Sequence, residues 1–181
     1  MGEIKSDQIL LAEIAKGSQK AFTQIFERYK KKVFGSCYFI LGNRVLAEDL
    51  SQETWMQVAE KASQYQPSGS ALGWILTISR NRCLNELRSR KKWKELDPDS
   101  ESDLPDESEN SEELMIQLQD QKRLTQAITE LTEMQKVVLM MTIQEDKNHA
   151  EIAKELNSSV GAIKVLLYRA RQTLKERLEG S

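Results

Sequence analysis

The sequence predicts an all-α protein with two small helical domains joined by an acidic flexible linker, the second domain being a helix-turn-helix. Three observations support this prediction. Only 3 of the 181 residues are proline and 8 are glycine, so few positions disfavour helix. Apolar residues recur three and four positions apart over long stretches, as they do on one face of a helix. The third observation is a change of charge along the chain.

Charge divides the chain into three segments. Residues 1–94 carry 16 basic and 9 acidic side chains, residues 95–113 carry 10 acidic and no basic ones, and residues 114–181 carry 10 basic and 9 acidic ones. We therefore expect a first domain over 1–94, a linker over 95–113 and a second domain over 114–181. The linker has two prolines and two leucines, too little apolar surface to offset the entropy of ordering it. It is either a solvated tether or a mimic of nucleic-acid phosphates that occupies a basic channel.

Composition excludes several classes of protein. The longest apolar run, 137–141, is far shorter than the roughly 20 residues of a membrane span. The N-terminus has no signal-peptide core, which favours a cytoplasmic protein without membrane contact of its own. Cys37, Cys83 and His149 lack metal-ligand spacing, and we expect no metal or cofactor. No catalytic nucleophile or glycine-rich phosphate loop is present in the sequence, so no enzyme and no catalytic residue are predicted.

Two helices are predicted before residue 43. Ser6 or Asp7 begins a short helix that Gly17 ends, and Ser18 begins a long helix that continues to Gly42. The predicted core residues are Ile9, Leu10, Ala12 and Ile14 in the first helix, and Phe22, Ile25, Phe26, Tyr29, Val33, Cys37, Tyr38 and Leu41 in the second.

A third helix, over about 45–62, has a polar stripe opposite its apolar one. Steps of four place Leu46, Leu50, Thr54 and Val58 on the predicted buried side. The other side shows Asp49, Gln52, Glu53, Met56 and Glu60. The stripe is either a solvated face or a protein-docking surface, since Met56 and nearby Trp55 add the apolar anchors typical of such surfaces.

A fourth helix is predicted over about 71–93. Leu76, Cys83, Leu84 and Leu87 form its buried side on a helical wheel. A second stripe contains Trp74, Asn81, Asn85, Arg88 and Lys92, and further cations surround it at Arg80, Arg82, Arg90, Lys91 and Lys94. Rings, amides and cations on one face suit single-stranded nucleic acid, because bases stack on rings while cations follow phosphates. Alternatively, Trp74 is a core residue and the cations only solvate the helix.

The sequence of the second domain, residues 114–181, predicts a helix-turn-helix. Ser111 begins a helix bearing Leu114, Leu118, Leu124, Ile128 and Leu131. Thr132 and Gln135 form a capping box before the next helix. Helices over 149–156 and 160–178 follow, with Asn157 in a left-handed turn and small Ala153 where the helices approach closely. In the last helix Val160, Ile163, Leu167, Ala170 and Leu174 are predicted to face inward, and Lys164, Tyr168, Arg171 and Lys175 outward. This layout is typical of a recognition helix, with a plain helical hairpin as the alternative.

Three motifs, in this order, resemble the extracytoplasmic-function group of bacterial sigma factors: AEDLSQETW over 47–55, WILTISRN over 74–81 and EIAKELNSSVGAIKVLLYRAR over 151–171. The resemblance covers about residues 22–93 and 124–178. It implies a first domain that binds core RNA polymerase and reads the −10 element, and a second that reads the −35 element. It further implies promoter recognition and strand opening without catalysis or cofactor. The implied partners are core RNA polymerase, promoter DNA and a cognate anti-sigma factor.

The resemblance also implies roles for individual residues. Those matched to polymerase binding are Asp49, Gln52, Glu53 and Met56. Those matched to the −10 element and the melted strand are Trp74, Arg80, Asn81, Asn85, Arg88, Lys91 and Lys92. Those matched to the −35 element are Ser159, Ala162, Lys164, Val165, Tyr168, Arg169 and Arg171.

The sequence departs from the family pattern at two places. Asn85 stands where the family usually has Asp, and Val165-Leu166 replaces a frequent Ser-Arg pair on the recognition helix. The alternative functions are a stand-alone helix-turn-helix regulator and a polymerase-binding adaptor or anti-sigma protein. The chain shows no evident dimerisation helix, which argues against the regulator, and its aromatic, basic helix argues against the adaptor.

Overall fold

The computed structural model of the chain describes residues 5–67, 69–96, 124, 126–145 and 147–179. Regular structure in these residues is entirely helical, which confirms the predicted all-α class. The chain divides into two compact units, residues 1–104 and 105–181. No helix in the described ranges is long and apolar enough to cross a membrane.

The first unit contains α1 (Asp7–Ile14), α2 (Gln19–Leu41), α3 (Arg44–Lys61) and α4 (Ala71–Leu96), with a short 3-10 helix at Ala62–Gln64 between α3 and α4. Local sequence signals explain these bounds. The side chains of Ser6, Ser18 and Asn43 each accept a backbone N–H from the first turn of the helix that follows. Gly42 ends α2 with φ 67°, a left-handed conformation that glycine adopts without steric cost.

The fourth helix was predicted to end at about residue 93 and is longer in the structure. α4 continues through Glu95 and Leu96, both good helix formers. It ends before the Asp97-Pro98 pair, as expected because proline disfavours helical backbone in the residue before it. The rest of the predicted linker lies outside the described residues.

The core of the first unit lies where its four helices meet. It contains Leu10, Leu11, Ile14, Ala21, Ile25, Val33, Trp55, Val58, Ala62, Ala71, Ile75 and Ile78. The prediction for α1 was partly wrong, since Ile9 and Ala12 are exposed and Leu11 is buried instead. Eight residues make only two turns, and the line of closest packing passes through Leu10, Leu11 and Ile14. In α2, Ile25, Val33 and Cys37 are buried as predicted.

An aromatic cluster joins α2 to α3. Trp55 packs edge-to-face against Phe22 and Phe26, with ring centroids 6.2 and 5.2 Å apart. Trp55 is only 5% exposed, so its assignment to the outer stripe of α3 was wrong. It lies three residues before Val58, on the same buried side, and three-residue steps share a helix face as four-residue steps do.

Polar contacts fix two helix pairs in the first unit. Asp7 of α1 pairs with Arg28 and accepts a hydrogen bond from the Tyr29 hydroxyl of α2. Burial, followed by this contact with Asp7, raises the pKa of Tyr29 to about 12. Between α2 and α4, the Cys37 Sγ lies 3.1 Å from the Ser79 Oγ. A hydrogen bond with Cys37 and burial raise the pKa of the Cys83 thiol, and Cys83 packs in the interior of the unit.

The second unit contains a helical segment at residues 126–129, then α5 (Glu133–Ile143), α6 (His149–Glu155) and α7 (Val160–Glu179). The predicted capping box is confirmed. The Thr132 hydroxyl accepts the Gln135 N–H, and the Gln135 side chain accepts the Thr132 N–H at 2.7 Å. The predicted helix start at Ser111, with Leu114 and Leu118, lies outside the described residues.

The helix-turn-helix prediction is confirmed in its local geometry. Asn157 has φ 48°, and the Ser158 N–H donates to the Ala153 carbonyl at 2.9 Å across the turn. Ala153 is buried where α6 and α7 approach. The sequence analysis missed a second capping box, formed by Asn148 and Glu151 at the start of α6.

Candidate functional site

An acidic surface lies on α3 and comprises Asp49, Gln52, Glu53 and Met56. Asp49 and Gln52 are exposed, and Glu53 is half-buried. Met56 is 65% exposed although the core of the unit lies one helix face away. An exposed methionine beside carboxylates and an amide supplies an apolar anchor with a polar rim, the arrangement found at protein interfaces.

The sequence analysis missed Val45 on this same surface. Val45 is 64% exposed and lies four residues before Asp49, so the two share one helix face. Apolar side chains therefore stand at both ends of the acidic surface. Steps of four, three and four from Val45 to Asp49, Gln52 and Met56 indicate that these residues share one face. Val45 was left out of the predicted surface because valine is apolar.

Glu53 lies at the edge of the acidic surface that faces α4, where it forms an ion pair with Arg82. Both side chains are partly exposed to solvent, which screens the pair. This pair makes Glu53 different from Asp49, which has no such partner in the described part of the chain.

A polar strip on α4 comprises Asn81, Asn85 and Arg88. The three residues step by four and three, and all are exposed. The Arg88 guanidinium donates to the Asn85 Oδ1 at 3.5 Å, so the amide and the cation are adjacent. The strip offers amide donors and acceptors for bases and a cation for phosphate, which suits a single nucleic-acid strand.

Arg80 does not belong to this strip. Arg80 is 1% exposed and is one of the largest fully buried side chains among the described residues. It lies one turn after Leu76 and one turn before Leu84, both buried, so its helix position faces the core. Arg80 is therefore buried and apart from the exposed strip, and this i−4, i+4 pair of leucines is the signal that locates it.

The aromatic and basic ends of α4 differ from one another. Trp74 is half-buried and packs against Tyr65 with ring centroids 5.5 Å apart, so it combines a packing contact with a partly exposed ring. The Tyr65 hydroxyl donates to the Gly69 carbonyl at 2.8 Å, which orders the loop before α4. Lys91 is exposed, and the Lys92 side chain lies outside the described residues.

The outer face of α7 comprises Ser159, Ala162, Lys164, Val165, Tyr168, Arg169 and Arg171, all of them exposed. Ile163, Leu167 and Ala170 are buried on the opposite side, as predicted. The Ser159 hydroxyl accepts the Ala162 N–H at 3.1 Å and so caps the helix. Tyr168 is 64% exposed and extends from the middle of this face.

Val160 was predicted to face inward but is exposed. Helical side chains tilt toward the N-terminus, so a residue at the first position of a helix extends past the end of its packing partner. Val160 therefore lies at the margin of the inward line, whose buried part begins with Ile163.

In the described residues no three His, Cys, Asp or Glu side chains are grouped as metal ligands. The three helix surfaces consist of exposed side chains and the half-buried Glu53, and they offer binding chemistry: carboxylates and methionine on α3, amides and cations on α4, and a mixed apolar and cationic face on α7.

Comparison with known proteins identifies the family. The model of Sigma-70 region 2 matches residues 25–93, and the model of Sigma-70, region 4 matches residues 121–174. The region 2 match includes α3 and nearly all of α4, and the region 4 match includes α5, α6 and most of α7.

Curated relatives align along nearly the whole chain. The ECF RNA polymerase sigma factor SigW of Bacillus subtilis (strain 168) is 25% identical over 176 residues, 93% of this chain and 94% of the relative. SigK of Mycobacterium tuberculosis (strain ATCC 25618 / H37Rv), also an ECF RNA polymerase sigma factor, is 24% identical over 174 residues, 95% and 93% of the two chains.

Solved structures share the fold. The sigma factor RpoE from Bartonella quintana, in complex with the anti-sigma factor NepR, has a TM-score of 0.68 and 21% identity, covering 88% of this chain and 98% of that one. CnrH in complex with the cytosolic domain of CnrY has a TM-score of 0.62 at 21% identity. With two sigma-70 regions in order and full-length relatives of one kind, the chain belongs to the extracytoplasmic-function group of sigma factors.

Proposed function

We propose that this sigma factor directs core RNA polymerase to promoters by dividing three tasks among three helices. The acidic surface of α3 binds the polymerase, the polar strip of α4 binds the melted non-template strand of the −10 element, and the outer face of α7 reads the −35 element. The observation that carries the proposal is that all three surfaces, on α3, α4 and α7, are open to solvent. The buried Arg80 is left out of the α4 surface. Asp49, Asn81 and Tyr168 are exposed on three different helices.

Chemistry assigns each surface to its ligand. Carboxylates on α3 repel nucleic acid, so this surface suits a basic protein surface such as the clamp of the polymerase largest subunit. The α4 strip pairs amides with a cation, which suits unstacked bases and their phosphates. In the helix-turn-helix of the second unit, the outer side of the N-terminal half of α7 is open to solvent. This is the part of a recognition helix that enters the major groove.

The remaining features of the proposal follow from the family. The protein acts in the cytoplasm, where core polymerase and promoter DNA are found, and it carries out no chemical step of its own. Because the sigma factor RpoE of Bartonella quintana was solved in complex with the anti-sigma factor NepR, we include a cognate anti-sigma factor among the partners. The sequence favours a 1–94 polymerase and −10 domain, a 95–113 linker and a 114–181 −35 domain.

Charge reversal on α3 tests the docking assignment. Asp49→Lys places a cation on the acidic surface without removing a described ion pair, so polymerase affinity falls while the fold is kept. Desolvated interface charges are worth about 2 to 5 kcal/mol, or more than tenfold in affinity. The readout is co-purification with core polymerase and its dissociation constant.

Glu27→Lys is the matched control, because Glu27 is an exposed acid on α2, outside the acidic surface. It is expected to leave polymerase binding unchanged. Equal polymerase affinity for Asp49→Lys and the wild-type chain would show that the acidic surface is only solvated.

The alternative of a stand-alone regulator is tested by the chain without polymerase. Its cations are divided between two small units, so the isolated chain is expected to bind promoter duplex weakly and to lose that binding steeply with salt. Specific nanomolar binding by the isolated chain at physiological salt would favour the regulator.

A further inference from the structure

We propose that α7 recognises a thymine in the −35 element by apolar contact, with the Val165 side chain packed against the C5-methyl group of the base. This inference rests on the proposed function, because it requires α7 to enter the major groove. It adds the chemical identity of one base that the helix selects.

Val165 lies at the centre of the outer face of α7. At about 100° per residue, it lies roughly opposite the buried line of Ile163, Leu167 and Ala170. It is 48% exposed, so about half of its surface is left open by the described residues. Lys164 and Tyr168 lie on one flank of Val165, and Arg169 lies on the other. Val165 therefore points away from the buried side of α7.

The positions just before Val165 at the centre of this face, Gly161 and Ala162, contribute no polar side chain. Gly161 has no side chain, Ala162 has a methyl group, and both are exposed. The outward centre of the first turns is thus apolar, while the cations stand to its sides. The cations are placed to contact phosphates on either wall of a groove, and the apolar centre is placed against base edges.

Helix stability does not explain an exposed valine. A β-branched residue loses side-chain freedom in a helix and is less favourable there than alanine by up to about 0.7 kcal/mol. The buried side is already filled by Ile163 and Leu167. Its place between flanking cations makes the exposed valine available to a ligand, and the groove edge of DNA is the ligand that the proposed function supplies.

The chemistry of the major groove selects thymine. Guanine, cytosine and adenine present hydrogen-bonding atoms there, and an apolar group placed against them leaves those atoms without partners. Thymine alone presents a methyl group at C5. A valine at the base edge therefore favours thymine and disfavours the other bases at that position.

Replacement of thymine by deoxyuridine removes only this methyl group. The test uses reconstituted holoenzyme and a promoter identified by run-off transcription, with each −35 thymine changed to deoxyuridine in turn. We expect one replacement to weaken binding by about fourfold, the value of one buried methyl group. With Val165→Ala holoenzyme, the same replacement is expected to have no effect.

Val160→Ala is the matched control. Val160 is also an exposed valine of α7, but it lies at the helix start and on the inward side. Its holoenzyme should keep the fourfold sensitivity to deoxyuridine. This control separates the position of Val165 from the general loss of a valine in α7.

Three outcomes would overturn the inference while the proposed function stands: a bound −35 element without thymine, normal binding of every deoxyuridine promoter by wild-type holoenzyme, or equal sensitivity of Val165→Ala and wild type. In each case promoter binding and opening continue. Failure of the holoenzyme to bind any promoter specifically would overturn the proposed function and the inference together.

Discussion

Helices α4 and α7 break the rule of apolar inside and polar outside in opposite directions. α4 places a charged residue, Arg80, in the core of its unit, whereas α7 places an apolar residue, Val165, at the centre of its exposed face. Buried polar groups are the exceptions that need an explanation in a folded protein, whereas a single exposed apolar residue is ordinary, so Val165 is notable for its position on α7 and not for its exposure alone. Burial places Arg80 among packing residues of its unit. Exposure leaves Val165 available for the binding role that we propose.

The exposed sides of α4 and α7 also differ in the form of DNA that their chemistry suits, single-stranded for α4 and duplex for α7. The exposed side of α4 carries amides and a cation, which satisfy the unpaired edges and phosphates of a single strand. The exposed centre of α7 is apolar with flanking cations, which fits the methyl groups and the two phosphate walls of a duplex groove. Two predictions test this contrast, and two more test the acidic surface of α3 and the linker.

The largest expected effect is on stability and concerns Arg80. Arg80→Ala leaves a cavity and removes a charged group that is engaged within the core. Large core truncations of this kind cost about 2 to 5 kcal/mol. The melting temperature and chemical denaturation of the full chain measure the loss. The neighbouring exposed Asn81→Ala should change the free energy of unfolding by no more than about 0.5 kcal/mol. Equal free energies of unfolding for the two variants would contradict a stabilising role of the buried Arg80 side chain.

The second prediction concerns the polar strip. Replacing Asn81, Asn85 and Arg88 together by alanine should lower promoter opening by at least about tenfold, since one hydrogen bond to a charged group is worth about 1.5 kcal/mol or more. Recruitment to closed duplex should change little. Permanganate reactivity of melted thymines measures opening, and duplex binding by holoenzyme measures recruitment.

Lys164→Ala on α7 is the comparison variant for the polar strip, because the opposite step should be affected. It should weaken recruitment to duplex DNA and leave the opening of recruited promoters unchanged. If the strip variant melts promoters as the wild type does, α4 does not bind the single strand.

The third prediction separates two acidic residues of α3. Glu53→Gln removes the ion pair with Arg82 and should lower the free energy of unfolding by less than about 1 kcal/mol, because both partners are partly exposed. Asp49→Asn should leave stability unchanged. Both should weaken polymerase binding, measured by titration with core enzyme. A loss of affinity with Glu53→Gln alone would show that the pair with Arg82, and not the acidic surface as a whole, is what polymerase binding requires.

The smallest effect is expected for the predicted linker, residues 95–113. Neutralising its ten acids with Ser, Gln and Asn keeps the length and removes the charge. If the segment occupies a basic channel of polymerase, holoenzyme affinity and the ratio of abortive to full-length transcripts should change at low salt. The difference should shrink at physiological ionic strength, where screening acts over about 8 Å. Equal affinities and ratios at low salt would identify a simple tether.

The sequence predicted the helices better than it predicted which side chains they bury. Local signals such as the Ser18 and Thr132 caps and the Asn157 turn depend on residues close in the chain, and the structure confirms each of them. Burial depends on how many helices surround a face. α4 packs against α1, α2 and α3, so its buried side is wide enough to include Arg80, which a single wheel assigned to the surface.

Trp55 and Val45 show the same limit on α3. Residue type placed tryptophan at a docking surface and left valine unassigned. The partners on α2, Phe22 and Phe26, bury Trp55, and no described neighbour covers Val45. Tertiary neighbours therefore decide which apolar residues of a helix are available for binding.

Run-off transcription tests the central claim most directly. Purified core polymerase is combined with the wild-type chain, with the α4 strip variant or with Lys164→Ala on a library of genomic promoter fragments. The wild-type chain should yield promoter-specific transcripts that core polymerase alone does not make. Each variant should reduce these transcripts, the first at strand opening and the second at recruitment. Absence of promoter-specific transcripts with the wild-type chain, or unchanged transcripts with both variants, would contradict the account.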